Sequence, residues 1–230
     1  MADALTAEEL DALRDFSSPT VSNAIETFDL RSRSEGFMDA SIRCMFPDLG
    51  GMVGYAVTAK IAARDKPQSS LSYFDMFEVM TKVPKPWVVV IEDLDYPNSI
   101  GSYWGEVNGS IYKGMGCVGL VTNGGVRDLD EVVETGFHFF ASCVLVSHAY
   151  VHLEEVGTPV SVGGLTVSPG DLLHADKHGV VSIPHDIAGE VAAASAEVER
   201  RERPIIDFAR SPEMSADGLR NLFGRQRETH

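Results

Sequence analysis

The chain has 230 residues, 44% of them hydrophobic and 23% charged, with a formal net charge of −15. That length and composition suit one globular core without requiring a second domain. A field of that sign repels nucleic-acid phosphates and anionic lipid, so neither nucleic acid nor a membrane is expected as a partner, and any anion site must be made locally positive. The first ten residues have neither the basic nor the apolar segment of a signal peptide, and no apolar run approaches the roughly 20 residues of a membrane span. Cys44, Cys117 and Cys143 are too few and too scattered for a disulfide framework or a zinc motif. A cytoplasmic protein with reduced thiols is the expectation.

In chain order, Thr6-Ala7-Glu8-Glu9 reads as a capping box opening a helix with Leu10, Leu13 and Phe16 on one face. Pro19 suits the first turn of a second helix, with Val21, Ile25 and Phe28 turned inward. Residues 29–50 read as an irregular connection. Met52 to Ile61 reads as a strand, and Ser69 or Ser70 as the cap of a helix running to about Met80. Trp87-Val88-Val89-Val90-Ile91, bounded by Pro86 and by Glu92-Asp93, is the pattern of a strand buried on both faces. A helix over about Tyr103 to Lys113, a strand ending at Thr122, a helix over 128–135 and a strand from Phe137 to Ala141 follow.

The second half changes character. Cys143 to His152, Pro159 to Val162, Leu165 to Val167, Asp171 to His174 and Val180 to Ile183 read as short strands parted by Gly and Pro turns. Asp186 starts a long helix through about Arg203, and residues 211–230 form a polar tail with a helical piece around Leu219, Leu222 and Phe223. Alternating strands and helices followed by a meander predict an α/β fold, a single-domain sandwich of mixed β-sheets flanked by helices over residues 1–210.

Four local patterns carry chemistry. Gly114-Met115-Gly116-Cys117-Val118-Gly119 is a literal GxGxxG, but its glycines close a helix and open a strand, the reverse of a dinucleotide site. A helix C-cap followed by close packing is the better reading. His148 and His152 are four apart, yet strand periodicity would set His148, Tyr150 and His152 on one side, as pocket-lining or surface residues with no third metal ligand nearby. Gly124-Gly125-Val126-Arg127-Asp128 lies between a strand and a helix start. An arginine fork suits a carboxylate, and an aspartate is a hard oxygen ligand for Mg²⁺ or Mn²⁺. Asp128-Leu129-Asp130-Glu131 also reads as a plain N-cap with its capping glutamate, and spacing alone does not choose between cap and ligand. Gly105-Glu106-Val107-Asn108 opens the preceding helix, where free backbone N–H groups make an anion cradle and Glu106 could orient a water.

At these segments the chain resembles the regulator of ribonuclease activity A family, which includes the 4-hydroxy-4-methyl-2-oxoglutarate aldolases. Four motifs carry the resemblance in order: Val53-Gly54-Tyr55-Ala56-Val57-Thr58, Gly105-Glu106, Val126-Arg127-Asp128, and Pro169-Gly170-Asp171 followed by Asp176-Lys177-His178-Gly179-Val180-Val181. The resemblance spans roughly Phe16 to Arg203. It implies a fold of swivelling β/β/α type and a retro-aldol lyase that releases pyruvate with Mg²⁺ or Mn²⁺, with oxaloacetate decarboxylation as a related activity. It also implies a homotrimer or dimer of trimers with the site between subunits. Asp128 would bind the metal directly, and Arg127 the substrate carboxylate or keto oxygen. Gly105, Glu106, Val107 and Asn108 would cradle the pyruvyl carboxylate. Glu106, and Glu202 or else Glu199 of a neighbouring subunit, would act on the metal through water. Neither the Gly105–Asn108 segment nor Val126-Arg127-Asp128 contains a lysine, which disfavours a Schiff base. Some family members instead bind and inhibit ribonuclease E, which makes a non-catalytic regulator the alternative. The family's aldolases often carry Asp-Gly where this chain has Asn123-Gly124, and the stretch Ser147 to His152 departs from the family pattern.

Overall fold

A computed structural model describes residues 4–68 and 71–228, side chains 224–228 excepted. Helices α1 (Ala7–Arg14) and α2 (Ser18–Glu26) lead through β1 (Arg43–Cys44) to β2 (Met52–Ala62), α3 (Tyr73–Met80), β3 (Trp87–Asp93), α4 (Glu106–Met115) and β4 (Cys117–Thr122). Next come β5 (Gly125–Val126), α5 (Leu129–Glu134), β6 (His138–Ala141) and β7 (Cys143–Val144). A run of strands follows: β8 (His152–Val156), β9 (Val160–Val162), β10 (Leu165–Val167), β11 (Leu172–Asp176) and β12 (Gly179–Ile183). Helices α6 (Ala188–Arg210) and α7 (Ala216–Glu228) close the chain.

The principal sheet has eight strands in the order β1-β6-β4-β3-β2-β11-β12, with β8 also paired to β2. The pairs β2–β3, β3–β4 and β4–β6 are parallel, joined by crossovers through α3, α4 and α5, and the outer pairings are antiparallel. The α/β class is therefore as expected, with one large mixed sheet and two two-stranded ribbons, β9–β10 and β5–β7, around it. Strand β3 shows why its sequence is apolar throughout. Trp87, Val89 and Ile91 enter the cluster beneath α3, α4 and α5, while Val88 and Val90 enter the one covered by β9 and β10. A sheet covered on both faces needs no polar alternation. A third cluster joins α1, α2 and α6 to Val53, Tyr55 and Leu172.

The start of the chain follows its local signals. Thr6 and Glu9 form the capping box, and Ser17 caps α2 with Pro19 in its first turn. Five expectations change. The connection 29–50 contains β1, which pairs antiparallel with β6 through two residues, too short a strand to leave a periodic signal. Ser69 and Ser70 lie outside the described residues, and Ser72 caps α3 through Asp75, whose carboxylate accepts from the Ser72 amide at 2.7 Å. The helix expected from Tyr103 begins at Glu106, because Trp104 bridges Val126 and Gly105 is extended. The strand expected over Cys143 to His152 breaks after Val144, and Ala149 turns through the left-handed region at φ 45°. The last long helix passes through Pro204 and ends at Arg210.

Candidate active site

Strands β3 and β4 are parallel neighbours, so their C-terminal ends lie side by side, and crevices at such ends are common ligand sites. Asn123, just past β4, holds the two ends together: its Oδ1 accepts from the Asp93 amide at 2.7 Å. The chain after β3 returns as Ser102-Tyr103-Trp104 beside the turn after β4. The Ser102 hydroxyl lies within donating distance of the carbonyls of Trp104 (2.7 Å) and Gly125 (2.8 Å), and Arg127 N–H donates to the Trp104 carbonyl at 3.0 Å. Trp104 is fully buried against Tyr112, Phe137 and Phe139, which anchors the backbone just before Gly105.

These ties bring Arg127 and Asp128 to the N-terminus of α4. Asp128 stands at the N-cap position of α5 in the left-handed region, φ 55°, and its side chain makes no capping bond to that helix. The plain-cap reading is corrected in this respect. The carboxylate is turned onto the neighbouring helix, where Oδ2 accepts from the Glu106 amide at 3.0 Å. Gly105 permits this approach, since a Cβ there would lie 2.3 Å from Asp128 Oδ2. Arg127 Nε is buried, stands 3.6 Å from the same oxygen and has no hydrogen-bond partner among the described residues. A buried, unsatisfied guanidinium N–H beside a helix N-terminus is a place for an anion's oxygen.

The cleft has a volume of about 230 Å³ and includes Gly105, Val107, Asn108, Arg127 and Asp128 in its lining. That is below the roughly 300–1,000 Å³ of drug-sized ligand sites and suits a small organic acid. Five of the residues named from sequence thus meet in one place. Glu106 contributes its backbone to the Asp128 contact, but its side chain is exposed and is not part of the lining. Glu199 and Glu202 are exposed on α6, away from this lining. Tyr73, Ser102, Tyr103 and Val151, which belong to none of the sequence motifs, complete the walls together with His148. Tyr73 donates to Asn108 Oδ1 at 3.0 Å, and burial pushes the Tyr103 phenol well up, so it stays protonated. A half-exposed tyrosine at the start of a helix leaves little sequence signal.

Of the two residues grouped with His148 by strand periodicity, His152 bonds Glu154 at 2.7 Å and Tyr150 is exposed. The glycine-rich segment is a cap and a packing device: Gly116 closes α4 at φ 105°, and a Cβ on Gly119 would lie 2.4 Å from Met52 Sδ. No group of three His, Cys, Asp or Glu side chains that could hold a metal occurs among the described residues. The donor set at the cleft is one carboxylate, Asp128, next to open space. That fits a hard cation of the Mg²⁺ kind, which keeps several waters and takes few protein ligands.

Fold and site together define an α/β protein with a small cleft, lined in part by Arg127 and Asp128, at the C-terminal ends of two parallel strands. The RraA-like family model, described as Aldolase/RraA, matches residues 13–182, and the chain belongs to this family. Among relatives, Protein DlpA of Legionella pneumophila is 26% identical over 156 residues, covering 67% of this chain and 25% of that protein. A protein of Halalkalibacterium halodurans named "Putative 4-hydroxy-4-methyl-2-oxoglutarate aldolase" is 29% identical over 100 residues, covering 41% of this chain and 48% of that one. The chain thus spans a quarter to a half of the length of these two relatives. Among solved structures, an uncharacterized protein from Pseudomonas syringae superposes with a TM-score of 0.75 at 24% identity, covering 100% of this chain and 97% of the other. Streptomyces coelicolor RraAS2, described as an unusual member of the RNase ES inhibitor RraA protein family, gives 0.68 at 23%, covering 87% and 97%. Both structures support the fold. No helix among the described residues is long and apolar enough to cross a membrane.

Proposed function

We propose that the chain is a divalent-metal-dependent carbon–carbon lyase that cleaves a 4-hydroxy-2-oxo acid, such as 4-hydroxy-4-methyl-2-oxoglutarate, and releases pyruvate. Oxaloacetate decarboxylation at the same cleft is part of this reading, because both reactions leave the enolate of pyruvate. The observation that carries it is the pairing at the start of α4: Asp128 fixed by the Glu106 amide, with the buried, unpartnered Arg127 Nε beside it. Membership of a family whose description joins aldolases with RraA proteins supports the same reading.

In this proposal the Arg127 guanidinium holds a carboxylate or keto oxygen of the substrate. The backbone N–H groups of Val107 and Asn108, in the first turn of α4, face the other oxygen of the pyruvyl carboxylate, since helix-starting N–H groups have no partner within the helix. Asp128 is the direct ligand for Mg²⁺ or Mn²⁺. The bound cation supplies Lewis-acid stabilisation of the negative charge that develops as the carbon–carbon bond breaks. Glu106, at the rim, orients water over the cleft. Self-association as a homotrimer or dimer of trimers would bring Glu202, or Glu199, of a neighbouring subunit to the rim. It would also cover apolar side chains left in solvent, among them Phe74, Val107 and Val146, the last 95% exposed. These same side chains would serve a regulator that binds a ribonuclease, but that reading gives no role to the Arg127–Asp128 arrangement.

The test is pyruvate release from 4-hydroxy-4-methyl-2-oxoglutarate and from oxaloacetate with Mg²⁺ or Mn²⁺ saturating. Activity is expected to be lost with chelator and to fall by about 10²–10³-fold in Asp128→Ala, a size typical of removing a group that organises transition-state charge. No turnover of either acid by the native protein would overturn the reading.

A further inference from the structure

The segment between β7 and β8 contributes His148 and Val151 to the cleft lining, and its backbone is tied down at several points. Leu145 N–H donates to the Val126 carbonyl at 2.9 Å, Ser102 N–H to the Ser147 carbonyl at 2.9 Å, and Tyr150 N–H to the Ala63 carbonyl at 3.1 Å. Ser147 Oγ accepts from the Ala149 amide at 2.9 Å. Gly101 leaves room for the turn, since a Cβ there would lie 2.5 Å from the His148 carbonyl oxygen. Two of these ties end on residues adjoining the site itself, Val126 before Arg127 and Ser102 in the cleft lining. His148 is therefore fixed relative to Arg127 and Asp128, and it lines the same cavity.

Its imidazole is also fixed. Nδ1 lies 2.7 Å from the Ala149 carbonyl oxygen, which can only accept, so Nδ1 carries the proton. The neutral ring then presents Nε2 as a bare acceptor, and Nε2 has no partner among the described residues. An acceptor-only nitrogen, oriented by a carbonyl on its far side, is what a general base requires. Retro-aldol cleavage needs such a base, whereas decarboxylation does not.

We propose that His148 is the general base of the cleavage reaction, removing the proton of the substrate's 4-hydroxyl group. This rests on the lyase reading above. The step balances without an outside reagent. Nε2 takes the hydroxyl proton, the oxygen's electron pair forms the new C4 carbonyl, the C3–C4 bond breaks, and its electron pair becomes the enolate of pyruvate. Protonation of that enolate at C3 completes pyruvate. Decarboxylation of oxaloacetate has no hydroxyl proton to remove, so His148 has no part in it.

The experiment compares native protein with His148→Asn and His148→Gln, at saturating Mg²⁺ or Mn²⁺, on both substrates. It includes a calorimetric titration with oxalate, a mimic of the pyruvate enolate. Cleavage kcat is expected to fall about 10²-fold or more in both variants, the usual worth of a positioned base. Oxaloacetate decarboxylation is expected to stay within about threefold and oxalate affinity to stay unchanged, because neither depends on proton removal from a hydroxyl. Equal losses in both reactions, or cleavage unchanged in the variants, would overturn the assignment of His148 while leaving the lyase reading in place. A native protein inactive on both acids would overturn the lyase reading and the assignment with it.

Discussion

Asp128 and Gly105 are 23 positions apart and act as one unit. The carboxylate reaches the Glu106 amide only because residue 105 has no side chain in the way. Gly105 is extended, at φ −157°, so alanine is conformationally tolerated there and the need is for space. Gly105→Ala is therefore expected to fold, with far-UV circular dichroism like the native protein, while Asp128 is pushed off the amide. Pyruvate release should drop by about 10²-fold, since a displacement of about 1 Å in a catalytic group has that effect. Unchanged kcat/KM would show that the carboxylate's position at α4 does not matter.

The GxGxxG segment separates two roles of glycine at the scale of an element. Gly119 lies in β4 between β3 and β6, with the His138 carbonyl 2.8 Å and Met52 Sδ 2.4 Å from where a Cβ would fall. Gly114 sits on the exposed side of α4 with nothing within 4 Å. Gly119→Ala is expected to destabilise by about 1–3 kcal/mol through overpacking. Gly114→Ala should stabilise by roughly 0.5–1 kcal/mol through helix propensity. Denaturant midpoints measure both, and a destabilised Gly114→Ala would contradict the open-surface reading. Elements also differed from their sequence signals where the chain pairs or packs out of register with its own periodicity. The apolar alternation of Cys143 to His152 looks like a strand, yet its backbone groups bond Val126, Ser102 and Ala63 rather than one neighbouring ladder. Pro204 forfeits one backbone bond, but α6 continues past it to Arg210 and is contacted by α7, with Phe208 packed close to Gly218.

For the whole molecule, a buried histidine contributes to the loss of stability in acid. His138 is 8% exposed, and burial, with Lys113 and Arg14 adding to it, pushes its pKa down to about 4 from an ordinary 6.5. It is neutral in the native state, while the unfolded chain binds a proton below pH 6.5. The contribution of His138 to stability is thus full above pH 6.5 and is lost as pH falls toward 4, by roughly 3 kcal/mol at about 1.4 kcal/mol per unit. Burial shifts His174 in the same direction. Asp93, whose carboxyl burial pushes up, works the other way. Urea unfolding at pH 7 and pH 4.5 should show the decline, and His138→Leu should flatten it. The same slope in that variant would place the cause elsewhere.

The sequence by itself determined the α/β class, the buried central strand, the capping box of α1 and the place of Pro19 in the first turn of α2, and it marked Arg127, Asp128 and the Gly105–Asn108 segment as candidates. Each of these rests on residues close together in the chain: an apolar run, a capping box, a glycine turn. Only the tertiary structure decided that Asp128 serves α4 instead of its own helix, that the Glu106 side chain stands outside the cleft lining, and that His148, Tyr73 and Ser102 form its walls. Those outcomes depend on contacts between segments 20 or more residues apart, set by strand order and by where the backbone between β7 and β8 finds its hydrogen bonds. Periodicity and local spacing carry no information about either.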